Sequence, residues 1–143
     1  MASIDIKLPE EWLKRLSTLG QRTDEIATKA LEAGGEVVLK QVRNNLRNVI
    51  GKNTEHPSRS TGELVDALGL SPAKVDRDGN YNIKIGFREP RKGGGSNAMI
   101  ANTIEHGKHG QPAKPFLKPA QRQSQKASLD AMAKTLEREI AKI

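Results

Sequence analysis

The stretch at residues 23–51, TDEIATKALEAGGEVVLKQVRNNLRNVIG, decides how the rest of the chain must be arranged. Its apolar positions Ile26, Ala30, Ala33, Val37, Val38, Val42, Leu46, Val49 and Ile50 keep a helical period. Thr23 or Asp24 supplies an N-cap. At about 1.5 Å per residue the helix runs for roughly 40 Å, so the other elements must line up along it. Gly34 and Gly35 interrupt it, at about 1 kcal/mol each relative to alanine, and mark either a kink or a close helix crossing.

Before this helix, Ile4, Ile6 and Leu8 alternate with polar residues like a short strand. Pro9 then stands at a first helical position, followed by Glu10 and Glu11 where the helix dipole favours negative charge. Trp12, Leu13, Leu16 and Leu19 share one face of a short helix that Gly20 is placed to end. Residues 1–22 are thus a strand and a short helix.

Beyond the long helix, residues 52–60 are polar, contain Pro57 and read as an exposed loop. Thr61 is expected to cap a short helical turn over residues 62–68. Two strands are predicted at residues 70–76 and 81–87, joined through Asp78-Gly79, a strong hairpin signal. Residues 88–97 carry Arg88, Arg91, Lys92 and three consecutive glycines from Gly93, and are expected to form an extended flexible loop at a hairpin tip. A third strand over residues 98–105 would return along the sheet. Residues 112–119 form a stiff, proline-punctuated arm. A final helix follows, with Leu129, Met132, Ala133, Leu136, Ile140 and Ile143 on one stripe.

The predicted fold class is therefore α+β: a long N-terminal and a C-terminal helix packed on a small antiparallel sheet, in a single domain spanning residues 1–143. A chain of 143 residues fits one core. That core must be thin, because only 35% of residues are hydrophobic and 3% aromatic. Part of the burial is expected to come from neighbouring subunits. With no cysteine there is no disulfide framework or thiolate metal site. No run approaches the roughly 18 apolar residues of a membrane span, and the N-terminus lacks a signal-peptide core. Cytosolic synthesis and no membrane association are the expectations.

A net charge of +7 and a pI near 9.8 invite a nucleic-acid reading. The basic residues are, however, dispersed, and Trp12, Tyr81, Phe87 and Phe116 are too few and too scattered for base stacking. The glycine run has no Lys-Ser or Lys-Thr pair after it, so it is no phosphate loop. Glu105, His106 and His109 have the wrong order and spacing for a zincin, and Gly107 and Gly110 break any helix there. No Ser, His and Asp arrangement is recognisable. Neither catalytic residues, metal ligands nor a cofactor are expected, and the chain does not read as an enzyme.

The most informative segment runs Ala101-Asn102-Thr103-Ile104-Glu105-His106-Gly107, then Pro112-Ala113-Lys114-Pro115-Phe116-Leu117-Lys118-Pro119-Ala120. Physically this reads as a strand, a glycine turn, a stiff arm and a docked helix, with Phe116 and Leu117 as apolar anchors and Pro119 tolerated in the first helical turn. The order of residues resembles the siphophage tail-component family of the head-to-tail neck, related to minor tail protein Z and to tail-completion proteins. Thr61, Gly62 and Leu64 match a Thr-Gly-x-Leu turn. Ala101, Glu105 and Gly107 match a strand end, and Pro112, Ala113, Pro115, Phe116, Leu117, Pro119 and Ala120 match the arm. The likeness spans roughly residues 24–143. It departs from the family at His106, where an aromatic is usual, and at Lys108-His109-Gly110.

The resemblance implies a structural virion protein of a tailed bacteriophage, made in the host cytoplasm and located in the tail or neck. It implies a ring, six-fold in preference to twelve-fold, joining the head connector to the tail tube. Expected partners are copies of itself, a head-closure or connector protein, a tail terminator or tail-tube protein, and DNA passing through the channel. Pro112, Pro115, Phe116, Leu117 and Pro119, with Arg88, Arg91 and Lys92, are the expected docking residues, between subunits or into the core. The alternative is a basic nucleic-acid-binding module using Arg88, Arg91, Lys92, Lys40, Arg43 and Arg47. A hydrolase built on Glu105 and His106 is a third reading, with no substrate to suggest.

Overall fold

The structure, a computed structural model, describes residues 3–17, 23–49, 63–75, 77, 79–89, 96–110 and 112–142. Its elements in chain order are β1 (Ile4–Lys7), α1 (Glu10–Ser17), α2 (Thr23–Val49), α3 (Glu63–Ala67), β2 (Leu68–Leu70), β3 (Lys74–Val75), β4 (Tyr81–Phe87), α4 (Asn97–His106) and α5 (Leu117–Ala141). The expectations for Leu19, Gly20, Ile50, Gly51, residues 52–60, Thr61, Gly62, Arg91, Lys92, the three glycines and Ile143 lie outside the described residues.

The hairpin forms where Asp78-Gly79 predicts it, with Gly79 at φ 81°, a conformation that suits glycine. Strand β4 is the centre of the sheet. It pairs antiparallel with β1 on one side (Ile4 opposite Ile85, Ile6 opposite Ile83) and with β2 on the other (Leu70 opposite Ile85). Since β1 and β3 both pair Asn82, β3 lies on the β2 side. The predicted strand at residues 70–76 is split because Pro72 has no N–H to give the ladder. Ser71 bridges the break: its N–H donates to the Lys84 carbonyl at 2.8 Å, and its hydroxyl accepts the Lys84 N–H at 3.0 Å.

Period-two alternation puts Ile4, Ile83, Ile85 and Leu68 on one buried face, leaving Asp5, Lys7 and Lys84 exposed on the other. Helix α2 covers the apolar face and α5 packs along α2. Two hydrophobic clusters result. One gathers Val38, Val42, Leu46, Leu64, Ile85, Phe116 and Leu117; the other gathers Leu16, Ile26, Leu31, Ile83, Met132 and Leu136.

Gly34 and Gly35 sit where α2 is squeezed between its two neighbours. A Cβ on Gly34 would lie 2.5 Å from Met132 Cγ and 2.9 Å from Ser128 Oγ on α5. A Cβ on Gly35 would lie 2.9 Å from a Leu70 methyl on β2. Helix α2 continues through both, and the pair marks a close crossing. The Ser128 hydroxyl seals the crossing by donating to the Gly34 carbonyl at 3.0 Å.

Two expectations need correction. Residues 98–105 are not a third strand: they lie in helix α4, so the next described element after β4 is a helix and not a returning strand. Ser96 caps α4, accepting the Met99 N–H, and Asn97, Ala101 and Glu105 form its buried side at i, i+4 and i+8. The predicted stripe of α5 is also shifted. Met132 and Leu136 are buried, but Leu129 is 36% and Ile140 40% exposed, while Ala120, Ser124, Ser128 and Thr135 are buried instead. Small side chains win these places because they let α5 approach α2 closely, and their hydroxyls bond to helix carbonyls (Ser124 to Ala120, Thr135 to Ala131).

Candidate interaction surfaces

Glu105, read from sequence as part of a strand end, is the last buried residue of α4. Its carboxylate accepts the N–H groups of Phe116 and Leu117 at 2.8 Å each, and of Lys118 at 3.1 Å. These are the orphan donors at the start of α5, whose own N-cap, Phe116, makes no side-chain cap bond. A buried carboxylate at a helix N-terminus satisfies the donors and complements the dipole together. Gly107, at φ 78°, ends α4 by donating to the Thr103 carbonyl. The third family-motif residue, Ala101, is fully buried against the same cluster.

The second half of the arm is tied down at two points. The Lys114 N–H donates to the Ile104 carbonyl at 2.8 Å, and Glu105 holds residues 116–118. Pro115 lies between these ties and Pro112 and Ala113 just before the first; all three are exposed, and Pro119 in the first turn of α5 is half-buried. Phe116 and Leu117 face inward. Phe116 is fully buried, its ring edge-on to Phe87 with centroids 6.3 Å apart, and Leu117 is 5% exposed. Of the sequence-selected residues, the prolines are presented outward while the two large apolar side chains serve this chain's own core.

Arg88 follows β4 and is exposed; its N–H donates to the Ala67 carbonyl at 2.7 Å, and its carbonyl accepts from the Asn97 amide at 2.7 Å. Glu89 accepts both the Ser96 hydroxyl and the Ala98 N–H at 2.8 Å. A carboxylate from outside the helix therefore holds the start of α4, as Glu105 holds the start of α5. Sequence reading missed Glu89; a Glu seven residues before a Ser N-cap carries no local signal for such a bond.

Lys40, Arg43 and Arg47 form a row on the outer side of α2, beside Glu36, Val37 and Asn44. Among the described residues these three cations have no ion pair. No group of three His, Asp or Glu side chains among the described residues could hold a metal ion. Every buried side-chain polar atom among the described residues has a partner, so the buried polar groups are engaged in holding the fold. Among the described residues no helix is long and apolar enough to cross a membrane.

Comparison with known proteins gives one family. A family model described as "Bacteriophage HK97-gp10, putative tail-component" matches residues 10–107. The matched span takes in Thr61, Gly62, Leu64, Ala101, Glu105 and Gly107 and ends before the proline arm. No curated protein and no solved structure matches the chain.

Proposed function

Because the chain belongs to the bacteriophage HK97-gp10 tail-component family, a structural family and not one of enzymes, we propose that it is a ring-forming neck or tail-completion subunit. In this reading one unit, residues 1–143, repeats around the axis between the head connector and the tail tube and encloses the DNA channel. It is made in the host cytoplasm and enters the virion by binding copies of itself, a head-closure or connector protein, and a tail terminator or tail-tube protein.

The observation that carries the reading is the arm. Tied to Ile104 through Lys114 and to Glu105 through Phe116, it holds the exposed Pro115 between two bonds, with the exposed Pro112 and Ala113 just before them. Prolines stiffen the segment, and a stiff segment loses little entropy on docking. The prolines and Arg88 are the proposed contacts with a neighbour. Light scattering and electron microscopy of the purified chain and of assembled tails are expected to show closed rings with an axial opening. Monomers alone in both settings would sink the proposal.

The row Lys40, Arg43 and Arg47 favours a second reading, in which this side of α2 meets DNA phosphates. Binding would then weaken steeply between 50 and 200 mM salt, by about three powers of ten if six phosphates were contacted. Undetectable binding at the lower salt would exclude it.

A further inference from the structure

We infer that successive copies of this chain join head to tail through the two free edges of the sheet, β1 of one copy against the β2–β3 side of the next. The inference deepens the ring reading and rests on it. Among the described residues β1 and β2 each pair with β4 alone, so the sheet ends in two unpaired backbones. The two ends differ in charge.

On the β1 side a cleft runs between the strand and α5, lined by Lys7, Lys118, Arg122 and Leu129. Lys118, Arg122 and Lys126 stand at i, i+4 and i+8 on α5, a spacing at which like charges weaken a helix. They therefore do nothing for α5 by themselves. Asp5, the acid in this cleft, is tied to Lys84 at 3.9 Å, while Lys7, Lys118 and Arg122 have no acidic partner among the described residues.

On the β2 side the cleft is lined by Glu32 and Glu36 from α2, with Leu70, Ser71 and Pro72. Its cation Lys29 already bonds Glu25 at 3.2 Å and Glu139 at 3.4 Å, which raises its pKa above the ordinary lysine value. Arg138 lies 4.0 Å from Glu139. Glu32 and Glu36 have no ion pair among the described residues.

Among the described residues one edge thus carries unpaired cations, while the cleft at the opposite edge carries two unpaired acids on α2, with the exposed Lys74 of β3 on that side of the sheet. Each also carries a partly exposed apolar residue, Leu129 at 36% beside β1 and Val75 at 55% on β3. Unlike edges on opposite sides of one sheet define a heterologous contact, which repeats identically and closes into a ring when the rotation allows. The strands are short, four residues in β1 and three in β2, and Pro72 blunts the second. Backbone pairing alone is accordingly weak, and charge selects the partner.

The test uses the full chain with two charge-reversed variants, Lys7→Glu with Arg122→Glu and Glu32→Lys with Glu36→Lys. All four side chains are exposed, so melting temperatures should match the parent; a variant that melts lower is replaced by its single substitutions. Mass is measured by light scattering against concentration. Each variant alone should need at least tenfold more protein to assemble. An equimolar mixture should recover ring formation, because every junction in an alternating ring again joins opposite charges. Rings from the parent that neither variant disturbs would overturn this interface and leave the ring reading standing. A parent confined to dimers would overturn the head-to-tail arrangement. Monomers in solution and in tails would remove both readings.

Discussion

At its middle α5 meets α2 through missing atoms, and at its start it meets α4 through an added charge. The crossing works because Gly34 has no side chain, leaving room for Met132 and Ser128. The corner works because Glu105 has one that reaches three backbone donors. The first contact is steric: it tolerates no larger residue at Gly34 and should respond to removing volume opposite it. The second depends on acceptor oxygens, and making room cannot repair it.

The largest effect should come from Gly34→Leu, which drives a side chain into Met132 and is expected to cost about 3 kcal/mol in denaturant unfolding. Adding Met132→Ala should return at least about 1 kcal/mol as coupling; strict additivity would show that the crossing is not steric. Next, Glu105→Ala should cost about 2 kcal/mol, since it leaves the Phe116 and Leu117 N–H groups buried without an acceptor. Glu105→Gln, which keeps one acceptor oxygen, should lose about half as much, and Met132→Ala should return nothing in either background. A smaller loss, about 1 kcal/mol, is expected for Ser128→Ala, which removes one bond across the crossing and leaves its shape intact.

The smallest effect lies away from both contacts, near the start of α2. There the Tyr81 hydroxyl donates to the Asp24 carboxylate, and this bond, with lesser help from burial and the negative charge, pushes the phenol up to about 12. A raised pKa means that the protonated form is favoured by folding. Its contribution is complete below the ordinary tyrosine value near 10 and is lost as pH rises through the folded one. The chain has one tyrosine, so its absorbance titration reads this group alone. Asp24→Asn should bring the midpoint down and, because the contribution is complete at neutral pH, also lower the unfolding midpoint there, though by less than Ser128→Ala, since Asn keeps an acceptor oxygen.

The crossing was half legible in sequence and the corner hardly at all. Periodicity in α2 and the Asp78-Gly79 turn are local signals, and both elements stand where those signals put them. Gly34 and Gly35 announced a special place in a helix, but recognising a close crossing needs Met132, Ser128 and Leu70, which are remote in sequence. Residues 98–105 misled because Met99, Ile100, Thr103 and Ile104 suit a strand, while the buried side of the real helix is Asn97, Ala101 and Glu105. A search for apolar spacing passes over a face that is two-thirds polar. The same blindness moved the α5 stripe, since Ser124, Ser128 and Thr135 are buried for their size and their bonds to carbonyls. Glu105 and Gly107 were picked out by resemblance, and their work is to end α4 and begin α5.

The two fastenings also differ in how far apart in the chain their members lie. Glu105 and Phe116 are 11 residues apart, whereas Ser128 and Gly34 are 94 apart. Closing the longer loop costs about 2 kcal/mol more chain entropy than closing the shorter. The corner is accordingly cheap to form early, and α5 can begin from a fixed end before its far half has found α2. Folding order is then written into the spacing: a replacement at Glu105 should slow refolding, while one at Gly34 should chiefly hasten unfolding.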